Sequence, residues 1–231
     1  MPIAFSFSDM LESGALGYLI QGGFFMWPIL ILGILAMAVI IERWRSLKIL
    51  DKSADQIRTG IIDLLSEGKI EEAMNLCDET RGPIAAVLGN GLRKYLVLKE
   101  LNYEPARIEH QVTKSMEAYG VRVVAALERH LPILATISSV APMIGFLGTV
   151  QGMIVAFYDI VNKAGEGSIV ELAAQGIMTA LLTTCFGLII GIPTYMAFNY
   201  FMSVINDFVL DVEASAASLI EAVSVQLTLE R

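Results

Sequence analysis

"APMIGFLGTVQGMIVAF", residues 141–157, is apolar enough to lie in lipid, yet it holds a proline, three glycines, a threonine and a glutamine. It sits inside residues 131–158, a run without Asp, Glu, Lys, Arg or His, and two further such runs cover residues 13–41 and 172–206. Each exceeds the roughly 20 residues a helix needs to cross a hydrocarbon core. The whole chain agrees. Of its 231 residues 55% are hydrophobic and 17% charged, with mean hydropathy +0.62, where a soluble domain carries about 25% charge. The expected fold is an all-α membrane protein with three transmembrane helices and long cytoplasmic helical extensions.

Fourteen of the sixteen Lys and Arg residues fall between Arg43 and Arg129. Basic residues next to spans stay in the cytoplasm, so that segment is cytoplasmic, the N-terminus outside and the C-terminus inside. The expected layout is a periplasmic N-terminal segment (1–23), transmembrane helix 1 (24–41), a cytoplasmic helical domain (42–130) and transmembrane helix 2 (131–158). A periplasmic loop (159–171), transmembrane helix 3 with a cytoplasmic extension (172–206) and a cytoplasmic C-terminal helix (207–231) complete it. The first apolar run has no basic residues before it, unlike a cleaved secretory signal. Phe24, Phe25 and Trp27 suit the outer water boundary, whereas Glu42, Arg43 and His130 mark span ends.

Finer punctuation follows from turn formers. Gly68 breaks the helical pattern after span 1, "RGP" (81–83) stops it, and "NYEP" (102–105) separates the next two helices. Beyond Thr194 neither Gly nor Pro occurs, so the third helix continues past the membrane. Its apolar residues Phe208, Val212, Ala216, Leu219 and Val223 are expected against the helix that leads into span 2.

Several function classes are excluded. Within residues 42–129 fourteen acids balance fourteen bases, which is no nucleic-acid footprint. Cys77 and Cys185 fall in different environments, so neither a disulfide framework nor a metal site is expected. The two histidines, His110 and His130, lie outside the runs and no base stands near a span hydroxyl, against an intramembrane enzyme. No cofactor is implied.

What remains is the polar content of the spans. Gly145, Gly148, Gly152 and Ala156 on span 2, and Thr183, Gly187 and Gly191 on span 3, recur at spacings that let helix backbones approach in lipid. Spans 2 and 3 are expected to form a packed hairpin. Thr149 on span 2 and Thr179, Thr183 and Thr184 on span 3 lie near mid-run and together suggest a polar track. Proton relays within membranes are usually marked by acids or histidines, and these spans have none. Any carboxylate in the path must come from another chain.

"APMIGFLGTVQGMIVAF" followed by "GIMTALLTTCFGLIIGIPTYMAFNYF" (176–201) resembles the paired signature of the ExbB/TolQ/MotA family, the larger subunits of ion-driven energising complexes in the bacterial inner membrane. The "IIERWRSLK" exit (40–48) and the three-span layout extend the likeness, and the absence of a fourth run favours the ExbB and TolQ branches. The resemblance implies a homopentamer in the bilayer around a pair of single-span helices from an ExbD- or TolR-like partner, whose membrane aspartate carries the proton. A TonB- or TolA-like transducer then serves outer-membrane transport or envelope integrity. By the same resemblance Thr149 and Thr184 line the ion pathway, while Pro142 and Pro193 match the family's helix prolines and act in packing. Many ExbB proteins carry a glutamate where this chain has Thr179. The alternative is a pentameric scaffold that holds partner helices and conducts nothing.

Overall fold

The computed structural model describes residues 15–47, 59–61, 63–64, 67–80, 82–162 and 169–229. Among them every regular element is a helix: α1 Ala15–Gln21, α2 Met26–Leu47, α3 Ile70–Glu79, α4 Pro83–Glu100, α5 Pro105–Glu128, α6 Leu131–Asn162 and α7 Ile169–Leu229. Three helical stretches are long and apolar enough to cross a membrane, within residues 26–47, 105–162 and 173–225. The protein is an all-helical membrane protein. Helix α6 runs on into the range assigned from sequence to the outer loop, and α7 begins before that range ends.

The chain divides into two compact units, one of residues 1–41 with 131–199, the other of residues 42–130 with 200–231. In the first, α2 buries Met26, Ile29, Ala36 and Val39 and exposes Trp27, Ile31, Ile34 and Met37. So much exposed apolar surface suits lipid or a neighbouring subunit rather than water. Gly33 lets α2 approach α7, since a Cβ there would meet Ile190 Cδ1 at 2.8 Å. Pro28 stands in the first turn of α2, where its missing N–H costs no helical bond.

On α6 the buried residues are Leu131, Leu134, Ile137, Ala141, Gly145, Gly148, Gly152 and Ala156. Spacings of three and four confine them to one stripe. Helix α7 answers with Thr183, Gly187 and Gly191. A Cβ on Gly187 would stand 2.7 Å from the Ala141 carbonyl oxygen, and one on Gly145 2.8 Å from that of Thr183. These obstacles are backbone, which cannot swing aside. The expected hairpin is therefore present.

The second unit has an aqueous-type core. Leu88, Leu92 and Tyr95 of α4, Ile108, Val112 and Met116 of α5, and Phe208, Leu219 and Val223 of α7 cluster with Ala73 and Cys77 of α3. Val212 and Ala216 pack at its edge, as the spacing of apolar residues beyond the third span predicts. Gly68 takes φ +77 and Asn102 φ +51. Asn102 ends α4 in a left-handed cap: Tyr103 N–H donates to Leu98 O at 3.2 Å and Asn102 N–H to Lys99 O at 3.0 Å, the double closure that satisfies last-turn carbonyls. Pro83 and Pro105 open α4 and α5 where no helical donor is needed.

Glu42, Arg43 and His130, read from sequence as separate boundary markers, meet in one cluster. Arg43 is buried; its Nη1 donates to the Leu127 carbonyl at 2.7 Å and its Nη2 to Glu42 Oε1 at 3.1 Å. His130 Nδ1 lies 2.8 Å from both Arg43 Nη2 and Glu42 Oε2. Protonated, that nitrogen donates to Glu42; unprotonated, it accepts from Arg43.

Candidate functional site

The polar atoms of the first unit gather along the α6–α7 hairpin. Thr184 Oγ1 crosses between helices, donating to the Gly145 carbonyl at 3.2 Å. Thr183 is 1% exposed, and its hydroxyl donates within α7 to Ala180 O at 2.8 Å. It faces Gly148, where a Cβ would stand 2.5 Å from Thr183 Oγ1. Gly148 thus makes room for the hydroxyl.

Thr179 holds another element. Its hydroxyl lies 2.9 Å from the Gln21 carbonyl at the end of α1 and 3.1 Å from Gln175 O. Gly23, at φ +70, approaches the same side chain closely, a Cβ there falling 3.7 Å from Thr179 Cγ2. Thr149 donates back to Phe146 O at 2.6 Å and borders a shallow apolar recess with Met153 and Phe157. Within the chain, then, Thr179 and Thr183 share a cavity wall, and Thr149 and Thr184 each take a different environment.

Both prolines sit inside helices. Pro142 packs its ring against Gly191, whose Cβ would meet Pro142 Cγ at 2.6 Å. A proline also leaves the carbonyl one turn earlier without its helical donor, here Ser138 O beside Gly191. Thr194 Oγ1, next to Pro193, donates to Ile190 O at 2.7 Å.

The cavity that Thr179 and Thr183 wall has a volume of about 450 Å3 and is also lined by Gln151, Asp159 and Gln175. None of these three carried a role in the expected site, although the glutamine at 151 stood out in the sequence. Gln151 and Gln175 were visible as amides in uncharged runs, whereas Asp159 fell just past the span boundary and was assigned to the loop. Among the described residues no group of His, Cys, Asp or Glu is placed to hold a metal ion. Both cysteines are free, Cys77 buried and Cys185 exposed.

Residues 79–214 match the MotA/TolQ/ExbB proton channel family. An ExbB-like biopolymer transport protein of Synechocystis sp. is 32% identical over 189 residues, 80% of this chain and 69% of that protein. The biopolymer transport protein ExbB of Aquifex aeolicus is 32% identical over 127 residues, 55% of this chain and 77% of its own length. The Tol-Pal system protein TolQ of Haemophilus influenzae is 34% identical over 110 residues, 47% of each chain. The region matched by the family, residues 79–214, takes in the glycine-lined hairpin and its threonines. The chain belongs to the MotA/TolQ/ExbB proton channel family.

Proposed function

We propose that this chain is the larger subunit of an ion-driven energising complex in a bacterial inner membrane, N-terminus outside and C-terminus inside. It assembles as a homopentamer around a pair of single-span ExbD- or TolR-like helices, and the partner's membrane aspartate carries the proton. The complex drives a TonB- or TolA-like transducer. One observation carries this reading: Thr183 and Thr184 carry hydroxyls on the hairpin, where residues 131–158 and 172–206 hold no Asp, Glu, His, Lys or Arg. Hydroxyls orient water and stabilise a carboxylate, but they do not titrate near neutral pH.

The scaffold reading has a specific observation in its favour. The hydroxyls of Thr149, Thr179, Thr183 and Thr184 all have backbone carbonyl partners within the protomer. A donating hydroxyl still has lone pairs that accept, so this engagement leaves the channel reading intact. The test is reconstitution in liposomes with the cognate partner. Proton flux should require both chains and vanish when the partner's aspartate becomes asparagine. Flux from this chain alone, or flux that survives that change, would remove the shared-pathway reading; an assembled complex without flux would favour the scaffold.

A further inference from the structure

Helices α5 and α7 of the second unit leave a groove of about 400 Å3 between them. Its lining is largely apolar, with Met116, Val124, Val212 and Ala216 in it and the exposed Val121 at its side. Gly120 deepens it: a Cβ there would meet only Val212 Cγ1, at 3.7 Å. A side chain from outside has room at that notch.

The rim carries one sign of charge. Glu117 and Glu128 of α5 and Glu213 of α7 line the groove, and among the described residues no Lys, Arg or His does. None of these three carboxylates is ion-paired or hydrogen-bonded among the described residues. Arg122, next to Val121, is engaged elsewhere. Its Nε donates to Ala118 O at 3.2 Å and its guanidinium carbon lies 5.5 Å from the Tyr119 ring centre, neither of which lines the groove.

Glu117, Val121, Val124 and Glu128 follow at steps of four, three and four, which places them on one stripe of α5. The eleven residues from the first to the last span roughly 16 Å, or about three helical turns. Glu128 stands three residues before the uncharged run that opens at Leu131, and Val209, also in the lining, three after the run that closes at Asn206. The groove thus begins where both helices leave their apolar runs.

An occupant must bring apolar side chains at helical spacing, offer basic groups to three carboxylates, and start at the membrane surface. The cytoplasmic flank of a single-span helix has that chemistry, because Lys and Arg concentrate there. An acidic segment or a lipid phosphate would instead meet like charge.

We infer that the α5–α7 groove is a docking surface for the basic, amphipathic cytoplasmic flank of the single-span partner. The inference rests on the channel reading, which supplies that partner, and adds to it a second grip outside the membrane. Apolar side chains of the flank fill the notch at Gly120, while its Lys and Arg reach Glu117, Glu128 and Glu213. Rim charges set register and encounter more than affinity, so the notch carries most of the binding.

The test uses the full chain in nanodiscs of zwitterionic lipid, which give a basic peptide no anionic surface. The probe is a fluorescein-labelled synthetic peptide of the cognate partner's cytoplasmic flank, read by anisotropy beside a scrambled peptide of equal charge. The native order should bind at least roughly tenfold tighter, a difference of about 1.4 kcal/mol. Gly120→Leu should erase most of that gap, and Glu117→Gln with Glu213→Gln should weaken binding several-fold, less so in high salt. In the complete complex, benzoylphenylalanine placed at Val121 should photocrosslink to the partner. Crosslinks that join two copies of this chain would make the groove a contact between copies and overturn the docking surface. Equal binding of the two peptides, or of wild type and Gly120→Leu, would overturn it while leaving the channel reading standing, since that reading is decided by flux and its loss in the partner's aspartate variant. A seated peptide beside a complete complex that carries no flux would do the reverse.

Discussion

Thr184 Oγ1 donates to the Gly145 carbonyl from one helix to the next at 3.2 Å, at a point where a Cβ on Gly145 would fall 3.2 Å from the Thr184 Cα. Close packing and a polar bridge thus occupy the same place. The absence of a side chain at 145 brings the α7 backbone near enough for a short hydroxyl to reach across. Interhelical hydrogen bonds in membranes contribute about 0.6 kcal/mol on average. Loss of this one alone should leave the fold and assembly standing.

The glycine row makes the opposite expectation. Gly148→Leu and Gly152→Leu would drive side chains into Thr183 and into the Gly176 and Ala180 backbone, and overpacking costs about 1–3 kcal/mol, more where backbone must move. Both variants should lower the thermal midpoint in nanodiscs and reduce recovery of the oligomer. Gly17→Ala, with nothing within 4 Å of its added carbon, should be neutral. Intact oligomers of wild-type stability from both leucine variants would contradict the packing account.

Arg43 anchors its cluster by bonds to Leu127 O, Glu42 and His130. Arg43→Ala strips the part-buried Leu127 carbonyl of its donor and removes the partner of the half-exposed Glu42 carboxylate, which should cost about 1–3 kcal/mol. Arg43→Lys should recover only part, because an ammonium cannot reproduce the guanidinium fork. Chemical denaturation followed by far-UV circular dichroism checks the order wild type, lysine, alanine.

Cys77 is buried, and that desolvation pushes its thiol up to about 11. It should resist maleimide at pH 7.5 in the folded protein and react fully once unfolded, whereas exposed Cys185 reacts according to its access to water. The linkage has a sign. The native state keeps a proton that the unfolded chain releases near 9, so this contribution to stability is present below pH 9 and lost as pH rises toward 11. Labelling followed by mass spectrometry, with melting curves of wild type and Cys77→Ala across that range, tests both statements.

Orientation is checked by labelling. Asn162→Cys, at the end of α6, should react with an impermeant reagent added from the periplasm, and Lys69→Cys only after the inner membrane is opened. The reverse pattern would invert the topology.

The spans and their hairpin were legible because one-dimensional spacing decides them. A glycine every three or four residues on α6 can meet a matching row on α7 in few ways, and Gly145 with Gly187 meets it as expected. The breaks at Gly68 and at "NYEP" (102–105) were equally local, although the left-handed backbone at Asn102 was not among the expectations. The cavity was not legible, since its wall joins the α1–α2 turn to Gln151, Asp159 and Gln175, and no periodicity within one segment reports a neighbour over a hundred residues away. The Arg43–His130 contact, 87 residues apart, was hidden for the same reason. The threonines fall between these cases. Their depth was readable from the runs, but the face each presents was settled by backbone acceptors, such as Phe146 O for Thr149, that composition cannot choose.

The central claim is that the hairpin hydroxyls serve ion passage beyond holding helices together. Its most direct measurement is proton flux through liposomes carrying the complete complex, compared among wild type, Thr149→Val and Thr184→Val at matched assembly. Valine keeps threonine's shape and removes its hydroxyl, and at Thr184 the stability at stake is about 0.6 kcal/mol, too little to dissolve the complex. Flux should fall at least tenfold in Thr184→Val and clearly in Thr149→Val, equivalent to about 1.4 kcal/mol or more on the barrier. Full flux in both valine variants, with normal assembly, would contradict the account and leave a scaffold in its place.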